Sequence, residues 1–198
     1  MIGIIDYGAG NLHSVKNAFD YLRIKNRIIK MPEDLSSVKR IILPGVGAFG
    51  FAIKRLKETG LFDKIVDWLR DGRPFLGICL GLQLLFESSE ESEGIKGFGI
   101  FKGNIKKFRK YKIPQIGWNG VEPVKSSPLV DFRKKTFFYF LHGYYVDTPE
   151  KDLILGMTEY GMKYPSIINR ENIYGVQFHP EKSGEMGLIL LRNWVERC

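Results

Sequence analysis

The sequence predicts an α/β fold in which a parallel sheet, extended by antiparallel strands, is covered by helices on both faces. In the first half of the chain, short unbroken apolar runs alternate with longer amphipathic runs. Unbroken runs are typical of parallel strands that are buried on both faces. The second half carries short strand-like segments separated by Gly, Pro and Asn, which favours antiparallel connections. The chain has 198 residues and no linker-like segment, so one domain over residues 1–198 is expected.

The individual elements follow from hydrophobic periodicity. First-half strands are expected where apolar residues are continuous, at residues 2–5, 26–31, 40–44 and 73–78. Helices are expected where apolar residues recur every three or four positions, at residues 11–24, 49–60, 61–72, 80–90 and 187–197. Gly60 and Gly72 close two of these helices. Second-half strands are expected between turn residues, at residues 116–124, 135–146, 153–158, 164–170 and 172–180.

Composition and charge exclude several classes of protein. No apolar stretch reaches the roughly 18 residues that cross a bilayer, and the first residues lack the basic segment of a signal peptide, so no membrane partner is expected. The formal net charge is +8, with basic runs at residues 102–112 and 132–135. Zinc-finger spacing and RNA-binding aromatic motifs are missing, so we interpret these runs as solvated faces and expect no nucleic-acid partner. The two cysteines make no disulfide framework, which favours a cytoplasmic location.

Cys79 lies in the apolar run "FLGICLGLQLLF". A cysteine in such a run is usually a core residue. Here, however, Gly77 and Gly81 flank it between a predicted strand and a predicted helix. This G-x-C-x-G pattern is typical of a nucleophile elbow, where the start of a helix favours a thiolate. The N–H of Leu80 would then be an oxyanion donor, while Gln83, one helical turn further on, either shares the face of the nucleophile or is a surface amide.

A thiol nucleophile needs a base, and His179 is the candidate. It follows the strand-like run "IYGVQF", and active sites of parallel sheets collect where strands end. Glu181 is two residues further on. In near-extended backbone both side chains would point to the same side, so the carboxylate could orient the imidazole. A plain turn with a surface acid is the alternative for "HPE". His13 is expected to be exposed on an early helix, and the role of His142 stays open.

The run "ILPGVGAFG" places Gly45 and Gly47 directly after a predicted strand. Glycines there let the backbone aim N–H groups into a cleft. The run lacks the G-x-x-x-x-G-K-[ST] pattern of a phosphate loop. The early "GAGN" likewise lacks the third glycine of a dinucleotide-binding motif, because that position is His13. Nucleotide binding is therefore disfavoured at both places.

Together, these segments resemble the class I glutamine amidotransferases, whose fold is a flavodoxin-like parallel or mixed sheet flanked by helices. The resemblance covers the whole chain and rests on "DYGAGNLHSV", "LPGVGAFG", "LGICLGLQLLFESSEES", "GWN", "FYFLHGYYV" and "YGVQFHPEKSG". "PGVG" with "GWN" is typical of the branch formed by the glutaminase subunits of imidazole glycerol phosphate synthase. The resemblance implies glutamine hydrolysis through a cysteinyl thioester, with no metal and no cofactor. It also implies a heterodimer with a cyclase subunit, a (β/α)8 barrel that uses the ammonia to make imidazole glycerol phosphate and AICAR in histidine biosynthesis.

The same resemblance assigns roles to residues of this sequence. The implied catalytic triad is Cys79, His179 and Glu181. The implied oxyanion donors are Gly47 and Leu80. The positions implied to hold substrate glutamine are Gly45, Gln83, Glu91, Gly143 and Tyr144. The positions implied to lie at or near the cyclase contact are Asn11, Trp118, Tyr139 and Lys182.

Two positions depart from the family pattern. Gln115 replaces the usual His before "IGWN", and Gly143 replaces the usual Ser after His142. Gln115 is expected to lie beside the partner-facing Trp118. Neither departure touches the implied triad, but both leave the identity of the partner open. The histidine-pathway cyclase is favoured over a paralogous role, in which the subunit supplies ammonia for amidation of a surface-polysaccharide sugar. A binding module on a decayed glutaminase fold is disfavoured by the intact triad, and a cysteine peptidase on the same fold is disfavoured by Gln83 and "PGVG".

Overall fold

A nine-stranded sheet forms the centre of the computed structural model, which describes residues 1–129 and 134–198. The strands in chain order are β1 (Ile2–Ile5), β2 (Asn26–Ile29), β3 (Arg40–Gly45), β4 (Phe75–Cys79), β5 (Ser88–Ser89), β6 (Asn104–Lys107), β7 (Gln115–Pro123), β8 (Thr136–His142), β9 (Tyr144–Asp147), β10 (Ile154–Glu159), β11 (Lys163–Arg170) and β12 (Ile173–Val176). The helices are α1 (Leu12–Tyr21), α2 (Phe49–Glu58), α3 (Leu61–Arg70), α4 (Leu80–Gln83) and α5 (Gly184–Arg197). Short 3₁₀ turns span Pro32–Ser37, Lys151–Leu153 and Pro180–Lys182.

The large sheet is parallel on one side and antiparallel on the other. Its strand order is β2-β1-β3-β4-β12-β11-β10-β7-β8. The first five strands of this order, from β2 through β1, β3 and β4 to β12, are parallel to one another. From β12 onward, each strand is antiparallel to the strand beside it. The register pairs Gly45 with Cys79 and Val176 with Ile78. The segments that follow β3, β4 and β12 therefore meet at one edge of the sheet, where the ends of parallel strands commonly build a site.

Side chains of the parallel strands alternate between two hydrophobic cores. On β3, Leu43 packs in the core that includes residues of α2 and α3, whereas Ile42 packs in the core that includes residues of α1 and α5. Both side chains are fully buried, which stabilises the fold by about 1.5–3 kcal/mol each. The predicted α/β architecture, with helices on both faces of the sheet, is confirmed. Within the described part of the chain, every helix is too short or too polar to cross a membrane.

The helix predicted at residues 80–90 was too long, because α4 ends at Gln83. Leu84, Leu85 and Phe86, which follow, are fully buried. Their carbonyls accept hydrogen bonds from the backbone N–H groups of residues 98–101 instead of from a further helical turn, so the helix ends here. The carbonyl of Leu84 accepts a hydrogen bond from the distant amide of Phe98.

The strand predicted at residues 135–146 is two strands that join different sheets. Gly143 separates β8, which pairs with β7, from β9, which pairs with β6 in a small sheet of β5, β6 and β9. Strand β6 lies in the basic run 102–112, where no strand was predicted. A diagonal ion pair of 2.6 Å between Lys106 and Asp147 joins β6 to β9, a cross-strand contact that neither segment reveals alone. Of the other basic run, residues 132 and 133 lie outside the described residues.

Candidate active site

Cys79 is the last residue of β4, and its backbone is strained. Its φ of 54° and ψ of −105° are unfavourable for an L-residue. Gly81 is required here because a Cβ would lie 1.8 Å from the Leu43 carbonyl oxygen. A Cβ on Gly77 would lie 2.5 Å from the Gly81 carbonyl. The turn therefore has the backbone geometry that the G-x-C-x-G pattern predicts for a nucleophile elbow.

His179 and Glu181 form a buried pair beside Cys79. The His179 Nδ1–H donates to Glu181 Oε1 at 2.9 Å, and both side chains are 2% exposed. The alternative of a surface acid for "HPE" is therefore wrong. The expected extended geometry is also wrong, because β12 ends at Val176 and Glu181 lies in the 3₁₀ turn Pro180–Lys182. The turn, rather than strand alternation, brings the carboxylate back to the imidazole.

The surroundings of His179 favour its protonated form. Burial alone would lower its pKa, but the charge of Cys79 and polar contacts with Cys79 and Glu181 raise the pKa to about 10. Apart from Cys79, the buried Nε2 has no hydrogen-bond partner among the described residues, so this nitrogen is available to exchange a proton with the thiol. An imidazolium next to a cysteine favours the thiolate, which is the nucleophilic form.

A cavity of about 400 Å³ opens above the cysteine. It brings together the predicted site residues Gly47, Cys79, Leu80, Gln83, Glu91, Gly143 and Tyr144. Gly45 lies below this surface, where a Cβ would be 2.7 Å from Leu80 Cβ and 2.9 Å from Tyr7 Oη. Gly47 has a φ of +96° and open space around it, so its backbone adopts a conformation that other residues rarely reach.

Glu91 provides a fixed negative charge in the cavity. Its Oε2 accepts the N–H of Phe49 at 2.7 Å, at the first residue of α2, where the helix dipole stabilises a carboxylate. Burial and then the charge of Glu91 raise the pKa of the nearby Tyr144 hydroxyl. Lys107, at the end of β6, also lines the cavity. Lys107 is not among the site residues predicted from sequence, because a lysine within a basic run has the pattern of a solvated face.

Two buried amides connect the cavity to the cysteine. Gln83 is buried, and its Nε2 donates to the Tyr144 carbonyl and to Gln177 Oε1, both at 3.2 Å. Gln177 Nε2 lies 3.5 Å from Cys79 Sγ. The alternative of a surface amide for Gln83 is therefore wrong. Gln177 was missed, although a lone amide within the apolar run "IYGVQF" was a usable signal.

His142 is a buried, neutral residue that supports the cavity wall at Tyr144. Its Nδ1–H donates to the Tyr144 carbonyl at 2.7 Å, and Nε2 lies 3.2 Å from the Tyr164 hydroxyl. Burial lowers its pKa to about 4. The side-chain amide of Gln115 lies 2.9 Å from the same Tyr164 hydroxyl. Gln115 thus faces the interior, on the opposite side of β7 from Trp118, so the expectation that it lies beside Trp118 is wrong.

Three of the predicted contact residues form one exposed cluster. The rings of Trp118 and Tyr139 lie 6.4 Å apart in a T-shaped arrangement, and Lys182 Nζ lies 5.9 Å from the Tyr139 ring. Trp118 is 58% exposed, which is unusual for so large an apolar side chain and is typical of an interaction surface. Asn11 lies directly before α1, a helix that contacts the turn Pro180–Lys182.

An α/β sheet that presents a cysteine on a strained turn, next to a buried histidine–carboxylate pair, defines a class of protein: α/β enzymes with a nucleophilic cysteine. The family model of class-I glutamine amidotransferases matches residues 3–198. The chain is 52% identical over 201 residues to the imidazole glycerol phosphate synthase subunit HisH of Methanocaldococcus jannaschii, with 99% of both chains covered. It is 45% identical to the HisH subunit of Desulfitobacterium hafniense, covering 98% of this chain and 95% of that one. This chain belongs to the class-I glutamine amidotransferase family and, within it, to the HisH branch.

Solved structures agree on the fold. A crystal structure of a glutamine amidotransferase superposes with a TM-score of 0.79 at 18% identity, covering 98% of this chain and 97% of that one. The structure of PurLQS from Thermotoga maritima gives a TM-score of 0.80 at 16% identity, with coverages of 98% and 96%. At such low identity the likeness concerns the fold alone.

Proposed function

We propose that this chain hydrolyses glutamine to glutamate and ammonia, and that it passes the ammonia to the cyclase subunit of imidazole glycerol phosphate synthase in a heterodimer. The observation that carries the proposal is the buried His179–Glu181 pair beside Cys79. Cys79 in turn lines a cavity together with Glu91. Membership of the HisH branch supports the choice of partner. In this proposal, residues 1–198 act as one glutamine amidotransferase domain.

The first half of the reaction is acyl transfer to Cys79. The thiolate attacks the side-chain carboxamide carbon of glutamine, and the N–H groups of Leu80 and Gly47 hold the oxyanion that develops. Each such donor contributes about a hundredfold to a thousandfold in rate. The tetrahedral intermediate collapses as His179 donates its proton to the departing nitrogen, which leaves as ammonia, and a thioester remains on Cys79.

The second half is hydrolysis of the thioester. Having lost its proton, His179 takes one from a water molecule, which attacks the acyl carbon. Collapse of the second intermediate releases glutamate and restores the thiolate beside the imidazolium. Glu181 keeps Nδ1 protonated throughout and stabilises the positive charge that returns to the ring, so Nε2 stays available for proton transfer.

The amino-acid end of glutamine is held at the far side of the cavity. In this proposal the Glu91 carboxylate binds the α-ammonium group and Lys107 binds the α-carboxylate, which is supported by the presence of both residues in the cavity lining. The main chain at Gly143 and Tyr144 completes this subsite, with the Tyr144 carbonyl held by Gln83 and His142. Two opposite charges at one end select a free amino acid over a peptide-bound glutamine, since a peptide lacks both.

The cluster of Trp118, Tyr139 and Lys182 is the proposed contact with the cyclase, a (β/α)8 barrel, and Asn11 lies at or near the same contact. Ammonia must reach that partner without meeting solvent, because ammonium has no lone pair with which to attack. The proposal includes a cytoplasmic location, which is supported by the free thiols of Cys79 and Cys198, since a reducing compartment keeps a cysteine nucleophile active.

The test is glutamate release by the whole chain, measured alone and then with the cyclase subunit, with and without its phosphoribulosyl substrate. We expect strong activation by the cyclase with its substrate and at least a thousandfold loss in Cys79→Ala, with Cys198→Ser as the matched control that retains activity. Activation that survives in Cys79→Ala would overturn the mechanism. Labelling of Cys79 by an electrophilic glutamine analogue without activation by this cyclase would overturn the choice of partner and favour the sugar-amidating role.

A further inference from the structure

We propose that Gln177 binds the Cys79 sulfur from its buried side and stabilises the thiolate, and that Gln83 fixes the orientation of Gln177. This inference rests on the proposed glutaminase function, because it concerns the nucleophile of that reaction. Gln177 follows β12 and is 0% exposed. Its main-chain N–H donates to the Ser166 carbonyl at 2.9 Å, so the backbone of the residue is anchored beside the sheet.

The hydrogen-bond network leaves one orientation for the Gln177 amide. The Tyr144 carbonyl can only accept, so the Gln83 atom 3.2 Å from it must be the nitrogen. The same nitrogen lies 3.2 Å from the Gln177 side chain, and the atom that meets it there must be the oxygen. The Gln177 NH₂ group therefore points the other way, to Cys79 Sγ at 3.5 Å.

An amide donor in this position distinguishes the two protonation states of the sulfur. A thiolate accepts the N–H, and a hydrogen bond to a charged group is about twice as strong as one between neutral groups. On another side the Leu141 carbonyl oxygen lies 3.7 Å from Sγ. That oxygen can accept from the S–H of a thiol but repels a thiolate. Gln177 offsets this repulsion, so the sulfur does not depend on His179 alone.

Packing alone does not explain a glutamine here. A buried amide loses its hydrogen bonds to water. Its burial costs little free energy of folding only where protein groups supply replacement hydrogen bonds. Both polar ends of Gln177 have such partners, and one of the two is the sulfur atom that forms the thioester. An apolar side chain of similar length, such as methionine, would fill the same space without this contact.

The test is the pH profile of Cys79 alkylation by iodoacetamide, which reacts with the thiolate and releases iodide. The rate at Cys79 is read in the full-length chain by peptide mass spectrometry, which separates it from Cys198. We expect alkylation at neutral pH to be about tenfold slower in Gln177→Met, with the profile displaced to higher pH. In Gln177→Glu the slowing should be larger, because a carboxylate beside the sulfur repels a thiolate.

Thr158→Val is the matched control, since it removes a buried hydrogen bond to Ser166 Oγ without touching the cysteine. It should keep the wild-type alkylation profile. Folding of each variant is checked by thermal unfolding, and Gln177→Met, which carries no buried charge, remains informative where Gln177→Glu does not fold. A wild-type profile in folded Gln177→Met would overturn the inference. Glutamate release is a separate readout: an inactive wild-type complex whose alkylation still depends on Gln177 would overturn the proposed function and leave this inference standing.

Discussion

The main-chain N–H of His179 donates a 2.9 Å hydrogen bond to the carbonyl of Tyr139. Tyr139 presents its ring in the exposed cluster with Trp118 and Lys182, while His179 presents its imidazole to the cysteine. The proposed partner contact and the proposed catalytic base are therefore one hydrogen bond apart. A partner that moves β8 when it docks would move His179 with it.

Ser183 reinforces this connection. Its hydroxyl accepts the N–H of Tyr139 at 2.9 Å and donates to the His179 carbonyl at 2.6 Å, and the side chain is buried. We expect Ser183→Ala to destabilise the fold by about 1–3 kcal/mol, because the Tyr139 N–H loses its partner. Denaturant unfolding measures the effect. The exposed Ser36→Ala is the control, expected within about 0.5 kcal/mol of wild type; equal stability of the two variants would contradict the role given to Ser183.

The elbow should be intolerant of a methyl group at Gly81. A Cβ there would lie 1.8 Å from the Leu43 carbonyl oxygen, and neither backbone can move without separating α4 from β3. We expect Gly81→Ala to lose more than about 4 kcal/mol of stability or to fail to fold. Gly94→Ala is the control: its Cβ meets open space, so its φ of +76° leaves a penalty of about 1 kcal/mol. Similar unfolding midpoints for the two would refute the steric argument.

The charge of Glu91 should matter for binding more than for chemistry. Glu91→Gln keeps an oxygen for the Phe49 N–H but removes the negative charge offered to the α-ammonium group. We expect the KM for glutamine to rise about tenfold to hundredfold while kcat of the activated complex changes little. Glu93→Gln, an exposed neighbour, should leave both constants unchanged. A fall in kcat at constant KM would instead place Glu91 in the chemical step.

The exposed cluster should determine affinity for the cyclase. Trp118→Ala removes the largest exposed ring of the cluster, and truncation of such an anchor typically weakens a complex by about thirtyfold or more. Calorimetric titration with the cyclase subunit measures this. The rate of Cys79 alkylation in the free chain should not change. Phe51→Ala, at a half-exposed aromatic on α2, is the control; the same loss of affinity in both variants would contradict the assigned surface.

Buried, neutral His142 should make stability fall in mild acid. Its pKa is lowered to about 4 by burial, whereas an unfolded histidine titrates near 6.5. Between these values the unfolded chain binds a proton that the native chain does not, so the free energy of unfolding decreases as pH falls through this window. From pH 7 to pH 5 the contribution of His142 is about 2 kcal/mol.

His142→Gln removes this titration and keeps an N–H for the Tyr144 carbonyl. Between pH 7 and pH 5, the wild type should therefore lose about 2 kcal/mol more free energy of unfolding than His142→Gln does. Urea unfolding at both pH values gives the two differences. His13→Gln, at an exposed histidine, should follow wild type at both. A difference that stays constant with pH for His142→Gln would show that His142 does not carry the effect.

Local patterns in the sequence predicted much of the fold and part of the site. Unbroken apolar runs identify β1, β3 and β4, because a strand buried on both faces needs apolar residues at every position. Apolar residues every three or four positions identify α1, α2 and α3, because each helix buries only one face. The same holds for the turn at Cys79. A side chain at Gly77 or Gly81 would collide with backbone atoms a few residues away or on the adjacent strand. Such a steric requirement shows in a short segment as a glycine pattern.

The tertiary structure decided what depends on segments far apart in the chain. The pairing of β12 with β4 brings His179 to Cys79 across 100 residues of sequence, and it also places Gln177 behind the sulfur. The pairing of β6 with β9 brings Lys107 to the cavity. Hydrogen bonds from the backbone of residues 98–101 to the carbonyls of residues 84–86 replace a further turn of α4. By itself, the sequence determined which residues are apolar, strained or reactive. Strand order and burial determined which of them meet, because those depend on packing between distant segments that leaves no periodic signal in either one.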